Sequence, residues 1–172
     1  MGIFSYIRYS TGGDIKNRKN MNELSYLGVS IKVKDGEYSV WEGSNGKPVV
    51  SINRILASKF IREFIKQRYP KRDFKYWVQS EIYSGGSSVR VYVSKLNGES
   101  IDENIYEEIK SFCNALKGGS FDGMIDLYTY RKDVEVDGGI SYSFNTKYIF
   151  TSNKPPYGSK EYELRTEILN YE

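Results

Sequence analysis

Three carboxylates and two polar neighbours are the side chains of this sequence best placed by type to do chemistry. Glu81, Asp122 and Asp126 could act as acid–base or metal-binding groups, and Tyr83 and Arg90 could stabilise charge beside them. Such a set would suit phosphoryl transfer, which rests mostly on positioning and charge stabilisation. Asp122 and Asp126 stand four residues apart, a spacing that leaves both on one face of a strand, and Glu81 or Glu135 could join them around a divalent cation. Asp122-Gly123 is equally ordinary turn chemistry, and Asp126 could pair with Arg90 or Arg131. The balance of these readings is no metal and no cofactor. The chain has no histidine, so no side chain titrates near neutrality without a perturbing environment. The catalytic residues are therefore left open. A histidine-free ribonuclease built on the five residues named above is the enzymatic alternative.

The basic residues give a second kind of signal. Lys66, Arg68, Lys71, Arg72 and Lys75 fall within ten residues where a helix should pass into a strand. Compensation of a helix dipole would need only one or two of them, so the excess points to a phosphate backbone or an acidic partner, with Arg90 added from a following strand. Lys16, Arg18 and Lys19 lie in a polar loop that could act as an arm on a phosphate backbone or simply stay solvated. Thr11-Gly12-Gly13-Asp14 lacks the Lys-Ser/Thr ending of a phosphate-cradling loop. Ser84-Gly85-Gly86-Ser87-Ser88 could form an anion nest or an ordinary hairpin loop. The net charge of +3 hides an asymmetry: residues 1–72 hold 14 Lys/Arg against 6 Asp/Glu, and residues 73–172 hold 11 against 16. The basic front half invites an anionic partner. The 16 Tyr, 8 Phe and 2 Trp suit either half-buried strand faces or a stacking surface. Cys113, the lone cysteine, is read as buried and inert.

These residues must be positioned by the elements around them. Residues 3–9 read as a strand. Residues 29–34 and 37–41 alternate around Asp35-Gly36, the signal for a two-residue hairpin, and residues 43–46 read as a second turn. Residues 53–69 carry Leu56, Phe60, Ile61, Phe64 and Ile65 at helical spacing, with Ser51 or Asn53 as cap and Pro70 as stop. Residues 74–82 and 89–94 alternate as a hairpin, broken after the second strand by Asn97-Gly98. Residues 102–116 form an amphipathic helix with Ile105, Ile109, Phe112 and Leu116 inward. Residues 125–131 and 140–151 read as two strands joined by a turn at 137–139, and residues 160–171 as a last helix. The expected class is α+β, with a mainly antiparallel sheet of about five to seven strands, two main helices and a C-terminal helix. At 172 residues a single domain is expected. It divides into a β-rich part at 1–50 with the basic loop at 10–22, a core at 51–152 and a tail with a helix at 153–172.

Residues 59–151 resemble the large polyvalent protein associated domains, small α+β domains carried in multi-domain proteins of phages and conjugative elements. The resemblance rests on Arg68-Tyr69-Pro70, the Phe74-x-Tyr76-x-Val78 strand, the 84–88 turn and the Val89-x-Val91-x-Val93 strand. Phe121-Asp122-Gly123-Met124-Ile125-Asp126-x-Tyr128 and the Lys147-Tyr148-Ile149-Phe150 strand complete it. It implies a mobile-element setting and a role in helping incoming DNA survive host defences. By analogy with small proteins from such elements, it implies an anti-CRISPR type inhibitor. The expected partner is an RNA-guided effector complex or nucleic acid, contacted through Lys66, Arg68, Lys71, Arg72, Lys75 and Arg90. The alternatives are the ribonuclease above and a protein-interaction module that touches no nucleic acid. No run approaches the length of a membrane span and no leader is recognisable, so the expected setting is the host cytoplasm.

Overall fold

The computed structural model describes residues 22–34, 36–136 and 139–171. The strand expected over residues 3–9, the loop with Lys16, Arg18 and Lys19, residue Asp35 and the Asp137-Gly138 pair lie outside these residues.

The first two described strands, β1 (Glu23–Tyr26) and β2 (Val29–Lys32), pair antiparallel with Tyr26 opposite Val29. This corrects the expected pairing of residues 29–34 with 37–41. The turn is Leu27-Gly28, with φ of 50° and 79°. Both central residues are thus left-handed, as a two-residue hairpin requires. The chain accepts the strain at Leu27 because Leu24, Tyr26, Val29 and Ile31 all become buried on one face of the ribbon. Strand β3 (Val40–Glu42) instead pairs with β4 (Pro48–Ile52) across the expected turn at 43–46.

Helix α1 (Arg54–Arg68) follows, with Asn53 Oδ1 accepting from the backbone N–H groups of Ile55 and Leu56, both at 3.0 Å. It ends at Tyr69, ahead of Pro70. Strands β5 (Phe74–Tyr83) and β6 (Gly86–Lys95) form a long hairpin, with Tyr83 opposite Gly86 and Gly85 at φ 92° in the turn. Helix α2 (Glu103–Asn114) is capped by Asp102, whose Oδ1 accepts from the Asn104 and Ile105 N–H groups.

The expected strand at 125–131 is shorter, β8 (Leu127–Tyr130), and its partner is β7 (Gly119–Asp122). Residues 123–126 are the turn between them, and Asp126 has φ 52°. After β9 (Val134–Val136), the single strand expected over residues 140–151 divides into β10 (Ile140–Phe144) and β11 (Tyr148–Ser152). The division follows from the polar Asn145-Thr146-Lys147 step. Asn145 N–H ends the first pairing on Ile52 O at 3.0 Å, and Thr146 O accepts from Gly118 N–H at 2.8 Å. Helix α3 (Lys160–Tyr171) closes the chain.

The fold is α+β. Among the described residues eleven strands lie in four sheets, more and shorter than expected, and most pairs are antiparallel. The exceptions are β10 beside β4 and β11 beside β6, both parallel. One core joins the elements. In it Phe64 of α1 stacks on Phe112 of α2 at 4.3 Å, and Tyr142 of β10 is buried with its hydroxyl donating to Ser25 O at 2.8 Å. Helix α1 packs on β5 and β6, and α2 on β11, so both cover the same side of the sheet ordered β11-β6-β5.

Helix α3 is seated on the turn after β6. Gly98 has φ 89°, and a Cβ there would lie 2.1 Å from Glu161 O and 2.7 Å from Arg165 Cβ. Gly98→Ala therefore combines left-handed strain with a backbone collision. It should cost about 2–4 kcal/mol in urea unfolding and release α3, read as faster amide exchange over residues 160–170.

Candidate nucleic-acid interface

The period-2 geometry of strands decides which side chains of the β11-β6-β5 sheet face away from the helices. Val89, Val91 and Val93 of β6 are buried on the side where α1 packs. The alternate residues must then point outward. In register these form rows: Trp77 opposite Tyr92, then Gln79, Arg90 and Phe150, then Glu81, Ser88 (itself covered) and Tyr148, with Tyr83 opposite Gly86 at the end. Lys75 opens the face on β5.

The rings continue beyond the sheet. Tyr148 lies parallel to Phe150 at 5.8 Å and edge-on to Tyr128 of β8 at 5.8 Å, and Tyr128 meets Tyr130 at 4.9 Å. Phe150 is 48% exposed and Tyr130 75%. The junction is closed by the Tyr128 hydroxyl, which donates to Lys147 O at 2.9 Å. Burial, followed by the neighbouring Tyr148, Tyr130 and Tyr83, raises the Tyr128 pKa, so it stays a neutral donor. Gly86 makes room here: a Cβ would sit 3.2 Å from Lys147 Cδ and 3.4 Å from Tyr83 Cε2.

Three cations sit over these rings. Arg90 lies 5.3 Å from the Phe150 centroid, Lys75 5.8 Å from Trp77, and Lys147 4.9 Å from Tyr128 and 5.5 Å from Tyr148. Two also have carboxylate partners. Arg90 Nε is 3.4 Å from Glu81 Oε1, an exposed pair of little intrinsic strength. Lys75 Nζ is 2.6 Å from Glu161 Oε1, whose side chain is 7% exposed. The Lys75 hydrogen bond holds Glu161 below the ordinary carboxylate pKa. Lys147 was named in the family-like strand but not among the candidate contact residues. Its signal was its place directly before the Tyr148-x-Phe150 alternation.

The structure brings Lys75, Glu81, Tyr83 and Arg90 onto this face and disperses the rest. Helix α1 lies behind the sheet, and so do its cations. Arg68 clasps Glu108 of α2 through Nε and Nη2, both at 3.2 Å, and the Tyr69 hydroxyl donates to the same carboxylate. Arg68 first, then Tyr69, lowers the Glu108 pKa; burial and that carboxylate push the Tyr69 hydroxyl up to about 12. Lys66 borders a groove of about 560 Å³ between α1 and the β1–β2 ribbon, with Lys32, Lys59, Arg62 and Glu63. Arg62 also reaches the β5 edge and donates to Val78 O at 2.8 Å. Lys71 is exposed, and Arg72 lies 5.1 Å over Tyr76 and donates to Tyr69 O at 3.2 Å.

Asp122 ends β7 and Asp126 lies in the turn that follows, away from the β11-β6-β5 sheet. Asp122 Oδ1 accepts from Met124 N–H at 2.9 Å, a turn-forming bond. Arg131 is spent elsewhere, over Phe144 at 4.2 Å and donating to Tyr26 Oη at 2.9 Å. Among the described residues no group of three or more His, Cys, Asp or Glu is gathered to hold a metal. Cys113 is fully buried, and burial pushes its thiol up to about 12. No helix among the described residues is long and apolar enough to cross a membrane.

Fold and surface together define an α+β protein whose distinguishing feature is an open sheet face of rings and cations braced by two helices. Residues 52–158, more than half of the chain, match the family profile of large polyvalent protein associated domain 29, and the chain belongs to that family. The matched span runs from the end of β4 past β11, so it contains the whole face. The family is associated with phages and mobile elements, which is the setting of this chain. No curated protein and no solved structure matches the chain.

Three carboxylates, Glu37 beside Lys59, Glu108 beside Arg68 and Glu161 beside Lys75, are held below their ordinary range by those partners. A lowered folded-state pKa stabilises above the unfolded value, near about 4.3, and that contribution disappears as pH falls through and below it. Thermal stability should therefore be level between about pH 5.5 and 8 and fall steeply below about pH 4.5. Glu161→Gln should lower the plateau and soften the acid limb in a calorimetric pH series.

Proposed function

We propose that the protein is an anti-defence protein of a mobile element, acting on an RNA-guided nuclease or its guide RNA by contacting nucleic acid through the open face of the β11-β6-β5 sheet. The observation that carries this reading is the run of Trp77, Tyr92, Phe150, Tyr148 and Tyr128 interleaved with Lys75, Arg90 and Lys147. Aromatic rings bind bases by stacking whatever the base, and cations beside them meet the phosphates. The helices behind the face hold it rigid, so little ordering entropy is lost on binding. The family setting supports the anti-defence role. Lys66 and Lys71 have no ion-pair partner among the described residues and add long-range attraction for an anionic partner.

One observation favours the ribonuclease as a second reading: Glu81, Tyr83 and Arg90 share the face. Against it, the Glu81 side chain is 58% exposed and already faces Arg90 at 3.4 Å. The variant Glu81→Gln separates the two. As a binding face, it should leave RNA uncut on a denaturing gel and tighten binding a few-fold, the scale of one exposed charge pair, about 0.5–1 kcal/mol. RNA cut by the parent protein and spared by Glu81→Gln would establish the nuclease instead.

The broader test is affinity capture from host lysate with and without RNase. The parent protein should retain RNA together with an effector protein, and the Arg90→Ala/Phe150→Ala variant should lose both. Capture of protein alone, insensitive to RNase and to that double substitution, would replace this reading with a protein-interaction module.

A further inference from the structure

Resting on that reading, we infer that the sheet face binds a single strand by its bases and not a duplex by its backbone. Charge is the first argument. Duplex recognition runs on neutralised phosphates, and this face has little charge to offer: of its three cations, Arg90 and Lys75 already face Glu81 and Glu161. Those same carboxylates would oppose the closely spaced phosphates of a helix. The rings, by contrast, would find nothing in a duplex to stack on, since base faces there are covered by their neighbours. An unpaired strand presents them.

The second argument is the shape of the face. Beside the Trp77–Tyr92 row lies a slot of about 440 Å³ lined by Gln79, Ser80, Glu81, Arg90 and Tyr92. That volume falls in the range of small-ligand sites, and its lining combines an aromatic wall with groups that read a base edge. Gln79 carries an amide with no hydrogen-bond partner among the described residues, Arg90 supplies donors and Glu81 an acceptor. Phe150 is the register neighbour of Arg90 on β11, and from there the rings step to Tyr148 and Tyr128. A base held in the slot would therefore be followed by a base on Phe150 and another at the Tyr148–Tyr128 corner. The phosphates between them would fall within reach of Arg90 and Lys147. Two or three bases on an aromatic sheet face is a known mode of RNA recognition.

The third argument is the placement of each cation. Arg90, Lys75 and Lys147 all lie over a ring, at 5.3, 5.8 and 4.9 Å. Charge and stacking platform thus alternate along one track, the arrangement that follows a flexible strand and not the parallel phosphate rows of a helix.

The test uses the fluorescence of Trp77. The chain has two tryptophans, and Trp41 sits on β3 in a different sheet, so Trp41→Phe leaves Trp77 as the reporter. Titration with an eight-nucleotide oligouridine should quench it, with a shallow salt slope of about −1 to −2, matching two or fewer free phosphate contacts. An eight-base-pair RNA duplex should bind at least tenfold more weakly and leave the fluorescence unchanged. Phe150→Ala should weaken oligouridine binding about tenfold, circular dichroism confirming the fold. Duplex binding as tight as oligouridine, with a salt slope of −4 or steeper and no effect of Phe150→Ala, would overturn the single-strand inference while nucleic-acid binding stood. Binding of neither RNA would overturn both.

Discussion

Burial of Val89, Val91 and Val93 on the side covered by α1 is the constraint from which the surface follows. Strand side chains alternate without exception, so once the valines are committed inward, Arg90 and Tyr92 have nowhere to go but out. The hairpin register then carries the decision to Trp77, Gln79 and Glu81, and the parallel pairing with β11 carries it to Tyr148 and Phe150. A slip of one residue would bury an arginine and expose three valines. The core thus specifies the face without any side chain of the face contributing to that choice. The outward residues are left free of that packing constraint.

Charge on this molecule is used mainly for fastening. Arg68 and Tyr69 join α1 to α2 through Glu108, Lys75 joins β5 to α3 through Glu161, and Lys59 joins α1 to Glu37. Each links elements distant in sequence, and the nearly buried Glu161 would be a costly group without its lysine. A run of cations in the sequence is therefore not a patch on the surface. The cations from Lys66 to Lys75 separate because α1 ends at Tyr69 and the chain then enters the sheet as β5 at Phe74. What attraction for an anion survives on the open side comes from cations that lean on rings, where the ring face offers part of what a carboxylate would.

How far the chain could be read beforehand depends on whether a feature is local. Helix α1 was legible because its cap at Asn53, its apolar stripe and its stop at Pro70 all lie within one segment. The β5–β6 hairpin and the helix at 160–171 were legible for the same reason. The Leu27-Gly28 turn was not, since leucine is a poor left-handed residue and only burial of the flanking ribbon compensates it. The division of residues 140–151 was not, because the partners that separate β10 from β11 are β4 and β6, roughly 90 and 60 residues earlier. The face itself was half legible. Alternation showed Arg90 and Tyr92 opposite the valines, but nothing local said which side the helices would cover, nor that Lys147 would reach Tyr128.

The Phe121–Asp126 segment, the most distinctive piece of the sequence, takes on a different character once its position is known. It is the tip of the β7–β8 hairpin, with Met124 93% and Ile125 64% exposed. Asp122 earns its place by closing the turn on Met124 N–H, and Gly119 by letting the ribbon close, since a Cβ there would meet Thr129 O at 2.1 Å. Tyr128 and Tyr130 then project from the same ribbon onto the corner of the sheet. The segment's turn residues are thus the structural means by which the ring track extends past the edge strand β11. A sequence signature that shapes a hairpin thereby fixes where the tyrosines behind it stand.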